Sequence, residues 1–185
     1  MTRTRRFLSS TLVLVLAFLG TARAAEDGPA RSTGPVFERW GAVYDDVVPD
    51  YVPPADAYRV IFDVWQGPEE TDATNPRLEG VARFLNMHAR AGIDSGAMRL
   101  AVVLHGSAGR AVLRDDAYGT RFETANPDRE LLEALAAKGV HFLICGQSAS
   151  YRGYRKAEML APVPVSLSAS SAIVGLQAEG YHLLP

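Results

Sequence analysis

The residue most able to do chemistry in this sequence is the single cysteine, Cys145, which ends the apolar run His141-Phe142-Leu143-Ile144 and precedes Gly146-Gln147-Ser148. One cysteine cannot close an intrachain disulfide, so it serves as a thiol or as a small apolar side chain. The thiolate is the nucleophilic form, and amides at the start of a helix favour it. If Ser148 caps a short helix, the amides of that turn face the sulfur. The other reading is a buried strand cysteine that does no chemistry.

His105, in Val102-Val103-Leu104-His105-Gly106-Ser107, is the second candidate. At a strand end next to the cysteine's strand it can hydrogen-bond the thiolate or hand over a proton. Its alternative is to tie down the following loop. Asp63 lies near a third strand end and is open between a site role and a packing role. Gly106-Ser107-Ala108-Gly109-Arg110 has the glycines and the cation of an anion cradle. It lacks the lysine of a P-loop and the third glycine of a dinucleotide fingerprint, so an ordinary turn is equally open. Serine hydrolysis is excluded on its motif, because no Gly-x-Ser-x-Gly elbow is present. His88 falls within a helical pattern, His141 and His182 are isolated, and no His, Cys or acidic pair has metal-ligand spacing. Neither a metal nor a cofactor is expected.

Placing these groups requires strands whose carboxyl ends meet. From Tyr58 the sequence alternates short apolar runs with amphipathic stretches, the pattern of a three-layer α/β/α domain. Strands are expected at Tyr58 to Trp65, Leu100 to His105 and Val140 to Cys145. A weaker strand at Val163 to Leu167 follows Pro162 and contains Pro164, which suits a strand start or a sheet edge. A last short strand is expected at Tyr181 to Leu184. Asn75-Pro76 offers an N-cap and a first-turn proline, followed by Leu78, Val81, Ala82, Leu85 and Ala89 at helical spacing and a stop at Gly92. Asn126-Pro127 repeats that start ahead of Leu131, Leu132, Leu135 and Ala136, with Gly139 as the stop, and Ala169 to Glu179 reads as a final helix. The order predicts a five-stranded, mainly parallel sheet covered by helices, with Asp63, His105 and Cys145 at or near its carboxyl edge.

The whole chain has 185 residues, 48% of them hydrophobic and 22% charged, with a net charge of −2. That suits one globular domain and excludes a disordered or disulfide-stapled chain. Residues 1–24 read as a secretory signal: Arg3, Arg5 and Arg6, an apolar stretch from Leu12 to Leu19, then Ala22-Arg23-Ala24 with the cut after Ala24. The apolar stretch is shorter than a membrane span needs. Arg5-Arg6 leaves a twin-arginine route open. Cleavage removes four arginines and no acid, leaving 15 basic against 21 acidic residues, a net charge of −6. A periplasmic or secreted acidic domain of this kind is a poor ligand for nucleic acid or anionic membrane. Residues 25–57 carry five of the 11 prolines and read as an N-terminal arm, in which Trp40, Val43, Tyr44, Val47 and Val48 can dock on the domain or on a neighbouring subunit. The domain proper is expected over residues 58–185.

From about Tyr58 onward the chain resembles the DsrE-like family of sulfur-relay proteins, in particular its exported members. The resemblance rests on Val81-Ala82-Arg83-Phe84-Leu85-Asn86-Met87-His88, Leu100-Ala101-Val102-Val103-Leu104-His105-Gly106, Cys145-Gly146-Gln147-Ser148 and Leu176-Gln177-Ala178-Glu179-Gly180-Tyr181, in that order. It implies a five-stranded α/β/α fold assembled into trimers or hexamers. It also implies sulfur carried as a persulfide on Cys145 and exchanged with a donor or acceptor protein. On this reading His105 assists Cys145, and Gly106, Ser107, Gly146, Gln147 and Ser148 line the site.

Overall fold

The computed structural model describes residues 28–54, 58–161 and 163–184. The expected signal peptide at residues 1–24 lies outside the described residues, as do 25–27 and 55–57 of the arm and Pro162. The sheet is built from β3 (Arg59–Val64), β4 (Arg99–Leu104), β5 (His141–Cys145), β6 (Val165–Ser166) and β7 (His182–Leu183), in the spatial order β6-β5-β4-β3-β7. Every pairing is parallel, so all five carboxyl ends share one edge. The fold is the expected three-layer α/β/α, with the two weakest strands at the margins, where prolines do least harm.

Strand alternation assigns the two faces. Val60, Val64, Leu100, Val102, Leu104, Phe142 and Ile144 join one large core, packed under α1 (Pro76–Arg90) and α3 (Arg129–Ala137). Leu78, Leu85, Leu131 and Leu135 are almost wholly buried there, each contributing about 1.5–3 kcal/mol of apolar transfer free energy. The opposite face presents Ile61, Val103 and Cys145 to α5 (Ala169–Ala178) through Ala169, Ala172, Ile173 and Leu176. Register puts Asp63, and by continuation His105, on that same face.

Helix α1 starts as expected, Asn75 accepting the Arg77 amide at 2.9 Å. The expected start of α3 at Asn126-Pro127 is wrong by two residues: the helix begins at Arg129 with Asp128 at its cap. Asn126 is buried: its Oδ1 accepts the Asp128 amide at 3.0 Å and its side-chain amide donates to the carbonyls of Ala111 and Leu113, so it anchors the turn ahead of the helix. The segment after β4 forms a 3-10 turn over Gly106–Val112 and then α2 (Asp115–Phe122), neither of which is announced by an apolar period. A short α4 (Gly146–Tyr151) follows Cys145 directly.

The arm docks on its own chain. Its first part pairs β1 (Arg31–Ser32) antiparallel with β2 (Val43–Tyr44). Buried Asn86 of α1 accepts from the amides of Val36 and Phe37 and donates to the carbonyls of Phe37, Trp40 and Gly41, all between 2.9 and 3.1 Å. Arg90 holds the carbonyls of Ser32, Thr33 and Gly34 and the carboxylate of Asp45. Gly41 makes the approach possible: with φ +70°, a Cβ there would lie 2.3 Å from the Arg83 amide nitrogen. Of the expected docking residues, Val43 is buried, whereas Val47 and Val48 face solvent.

Candidate functional site

Cys145 is the last residue of β5 and itself the N-cap of α4, with Sγ accepting the Ser148 amide at 3.4 Å. Ser148 is therefore the third residue of the helix and not its cap, which corrects the expectation while keeping the amides on the sulfur. A second helix packs beside the cysteine. Ser168 caps α5 through the Ser171 amide, and Ala169 at the start of α5 shares a packed cluster with Cys145. Burial is the largest single influence and pushes the thiol pKa up. The Ser148 amide and hydroxyl, then the Ala169 and Gln147 amides, together outweigh it and hold the thiol below its ordinary range.

Gly146 explains why the second helix comes so close. A Cβ at that position would lie 2.6 Å from the Ser166 carbonyl oxygen, so only glycine lets the β6–α5 connection rest against the cysteine turn. Ser166 fastens that connection, its hydroxyl donating to the carbonyls of Ile144 and Ser168. Gln147 donates its side-chain amide to the Leu167 carbonyl, which makes it a tie within the site wall.

His105 continues the β4 register that pairs Leu104 with Ile144, so it stands beside Cys145 on the neighbouring strand. Its ring is bonded to Asp63: Nε2 lies 2.8 Å from Oδ1, with the two side chains about one-third exposed. A carboxylate only accepts, so Nε2 carries the proton and Nδ1 holds the free lone pair of the neutral ring. The expected direct bond from His105 to the thiolate is thus replaced by an Asp63–His105 pair. Across β3, β4 and β5, carboxylate, imidazole and thiol occupy one face of the sheet edge.

One loop residue links this row to α4. The Gly106 amide donates to the Ser148 hydroxyl at 3.1 Å, which ties the end of β4 to the residue that bonds the sulfur. Ser107 turns away, accepting the Gly67 amide. The anion cradle suggested for Gly106 to Arg110 is not formed. Arg110 is buried and donates to the carbonyls of Pro68 and Glu70 while its guanidinium lies over Phe122, so the cation belongs to the loop's own packing. His88 is structural, as its helical position implied: its ring bonds the Phe84 carbonyl and packs on Tyr58 and Phe84. Among the described residues no three His, Cys, Asp or Glu side chains converge as metal ligands. Sequence reasoning missed the Ala169 amide, which arrives from a distant loop, and left the role of Asp63 open. The usable signal for Asp63 was strand parity, which places it with His105 once the two strands are neighbours.

A model of the DsrE/DsrF-like family matches residues 59–185. Among solved structures, the protein of unknown function MTH1491 from Methanobacterium thermoautotrophicum is 23% identical with a TM-score of 0.50, covering 69% of this chain and 97% of its own. The YchN protein from E. coli is 16% identical with a TM-score of 0.47, covering 68% and 98%. The likeness to MTH1491 shows the fold. No curated protein matches the chain.

Proposed function

This chain belongs to the DsrE/DsrF-like family, a family of sulfur-relay type, and from that premise we propose that it handles sulfane sulfur as a persulfide on Cys145. The observation that carries the reading is the place of Cys145 as the cap of α4, its Sγ accepting the Ser148 amide while Ala169 at the start of α5 packs against it. Such a cradle favours an anionic sulfur over a neutral thiol. In the forward step the Cys145 thiolate attacks the outer sulfur of a donor persulfide, R–S–SH. A new S–S bond forms at Cys145, the donor's S–S bond breaks, and its electron pair leaves on R–S⁻. His105 takes the cysteine's proton at Nδ1 beforehand and returns it to that leaving thiolate, while Asp63 stabilises the imidazolium in between. An acceptor thiolate then attacks the same outer sulfur and regenerates Cys145. Neither step oxidises or reduces the pair as a whole.

The setting we propose is extracytoplasmic, after cleavage at Ala24, with a protein as sulfur donor or acceptor and a homo-oligomer as the working form. Support for the last comes from α5, which exposes Val174 next to Gly175, with Leu167 and Leu183 exposed at the two margins of the sheet. Mass spectrometry after treatment with inorganic polysulfide tests the chemistry. One added sulfur atom is expected on the native protein and none on Cys145→Ser; an unmodified native protein sinks the proposal.

A second reading is favoured by one observation: Cys145 is only 5% exposed and packs with Ile61, Val103 and Ala169. The protein would then be a non-catalytic binding module with an inert thiol. Alkylation of the native protein separates the two readings. Modification with a midpoint below the usual thiol pKa of about 8.5 supports the persulfide role, and modification no faster than global unfolding supports the module.

A further inference from the structure

At the opposite edge of the sheet, where the strands begin, a cavity of about 380 Å³ is lined by the loop Gly96–Met98 and by Arg99, Lys138, Gly139, His141 and Tyr181. No acidic side chain lines it among the described residues. Strand register makes its charge unusual: Arg59 and Arg99 are direct partners across β3 and β4 on the α5 face. Like charges placed opposite each other in a sheet are destabilising. Arg59 has a use, since it donates to the Glu179 carbonyl at the C-terminal end of α5. Arg99, Lys138 and His141 have no such use, making no side-chain hydrogen bond or ion pair among the described residues. The adjacent Asp94 is turned onto the Gly96 amide at 2.9 Å.

We propose that this cavity binds a multivalent tetrahedral oxyanion, of phosphate or sulfate type. The Arg99 guanidinium would present a planar fork to two oxygens, Lys138 a mobile point charge, and Tyr181 and His141 further donors. Occupancy relieves the repulsion between Arg59 and Arg99, so the site links anion binding to fold stability. The cavity lies at the far end of the strands from Cys145 and does not depend on the persulfide chemistry.

The test is titration of the purified, isotope-labelled protein with sodium phosphate, sulfate or thiosulfate, ionic strength being held constant with chloride. Saturable shifts of the Gly96, Arg99 and Gly139 amides and a rise in Tm are expected. Saturation by phosphate alone assigns a phosphoryl ligand, and saturation by sulfate or thiosulfate alone a sulfur oxyanion; either supports the site. The double variant Arg99→Gln, Lys138→Gln should bind roughly tenfold more weakly or worse. Both side chains are exposed, so it should fold with a Tm in chloride no lower than that of the native protein. Shifts that follow ionic strength whatever the anion, or a native titration in the double variant, would overturn the proposal.

Discussion

At the scale of single residues, the proposed chemistry predicts separable contributions of Asp63 and Ser148 to one thiol. Asp63→Asn keeps a hydrogen-bonding partner for His105 but can donate to Nε2, which moves the ring proton to Nδ1 and removes the free lone pair. Persulfidation should slow about tenfold or more, a loss within the range for general acid–base groups. Nitrogen NMR of His105 should report the changed tautomer; an unchanged tautomer and rate would refute the role. Ser148→Ala removes the hydroxyl that donates to the sulfur while leaving the Ser148 backbone amide in place. The thiolate absorbance of Cys145 should then titrate at higher pH, by the equivalent of about 1 kcal/mol for one lost hydrogen bond. Failure of that titration to move would mean that the amides alone set the thiol.

At the scale of elements, the joint between α1 and α3 is sensitive to pH. Asp128 is almost fully buried at the start of α3, and burial pushes its carboxyl up to about 6 against the opposing Asn75 amide and Arg110. A raised pKa means that the folded state holds the proton more tightly than the unfolded chain does. The group's stabilisation is therefore complete below about pH 3.9 and is lost as pH rises through about 6, some 3 kcal/mol in all. Asp128→Asn keeps an acceptor for Asn75, so denaturant unfolding should show it more stable than the native protein at neutral pH and no different near pH 3.5. Asn86→Ala, which strips the arm of its central hydrogen bonds, should cost about 3 kcal/mol and open trypsin cleavage at Arg39. The sequence made α1 legible because Asn75 and Pro76 stand at its cap and first turn, whereas at 126 and 127 the same pair of residue types forms a turn in which Asn126 takes the Asp128 amide and the helix starts two residues later. Helix α2 was illegible because it buries only Ala117 and Tyr118 and so has little apolar period. The strand position of Cys145 could be read from its apolar run, but the amide of Ala169 could not, since its approach depends on the space that Gly146 leaves.

At the scale of the whole molecule, α5 is the helix over the face that holds Cys145, and Val174 points away from the sheet into solvent. If copies of the chain assemble there, Val174→Asp should lower the mass measured by light scattering to that of one chain while leaving the circular dichroism unchanged. A native protein that already scatters as a monomer would remove α5 as an interface. Another property of the molecule lies in the order in which its parts are made. β3 is the first strand of the sheet to be synthesised, yet one of its two neighbours is β7. The cysteine's cradle likewise waits for Ala169, and residues 31–45 find their anchors only once Arg90 has followed them. Early and late segments are thus mutually dependent, and no prefix of the chain ending before residue 169 can build the site. The cysteine's surroundings are therefore a property of the finished chain, and a truncated product lacks them however well its first strands pair.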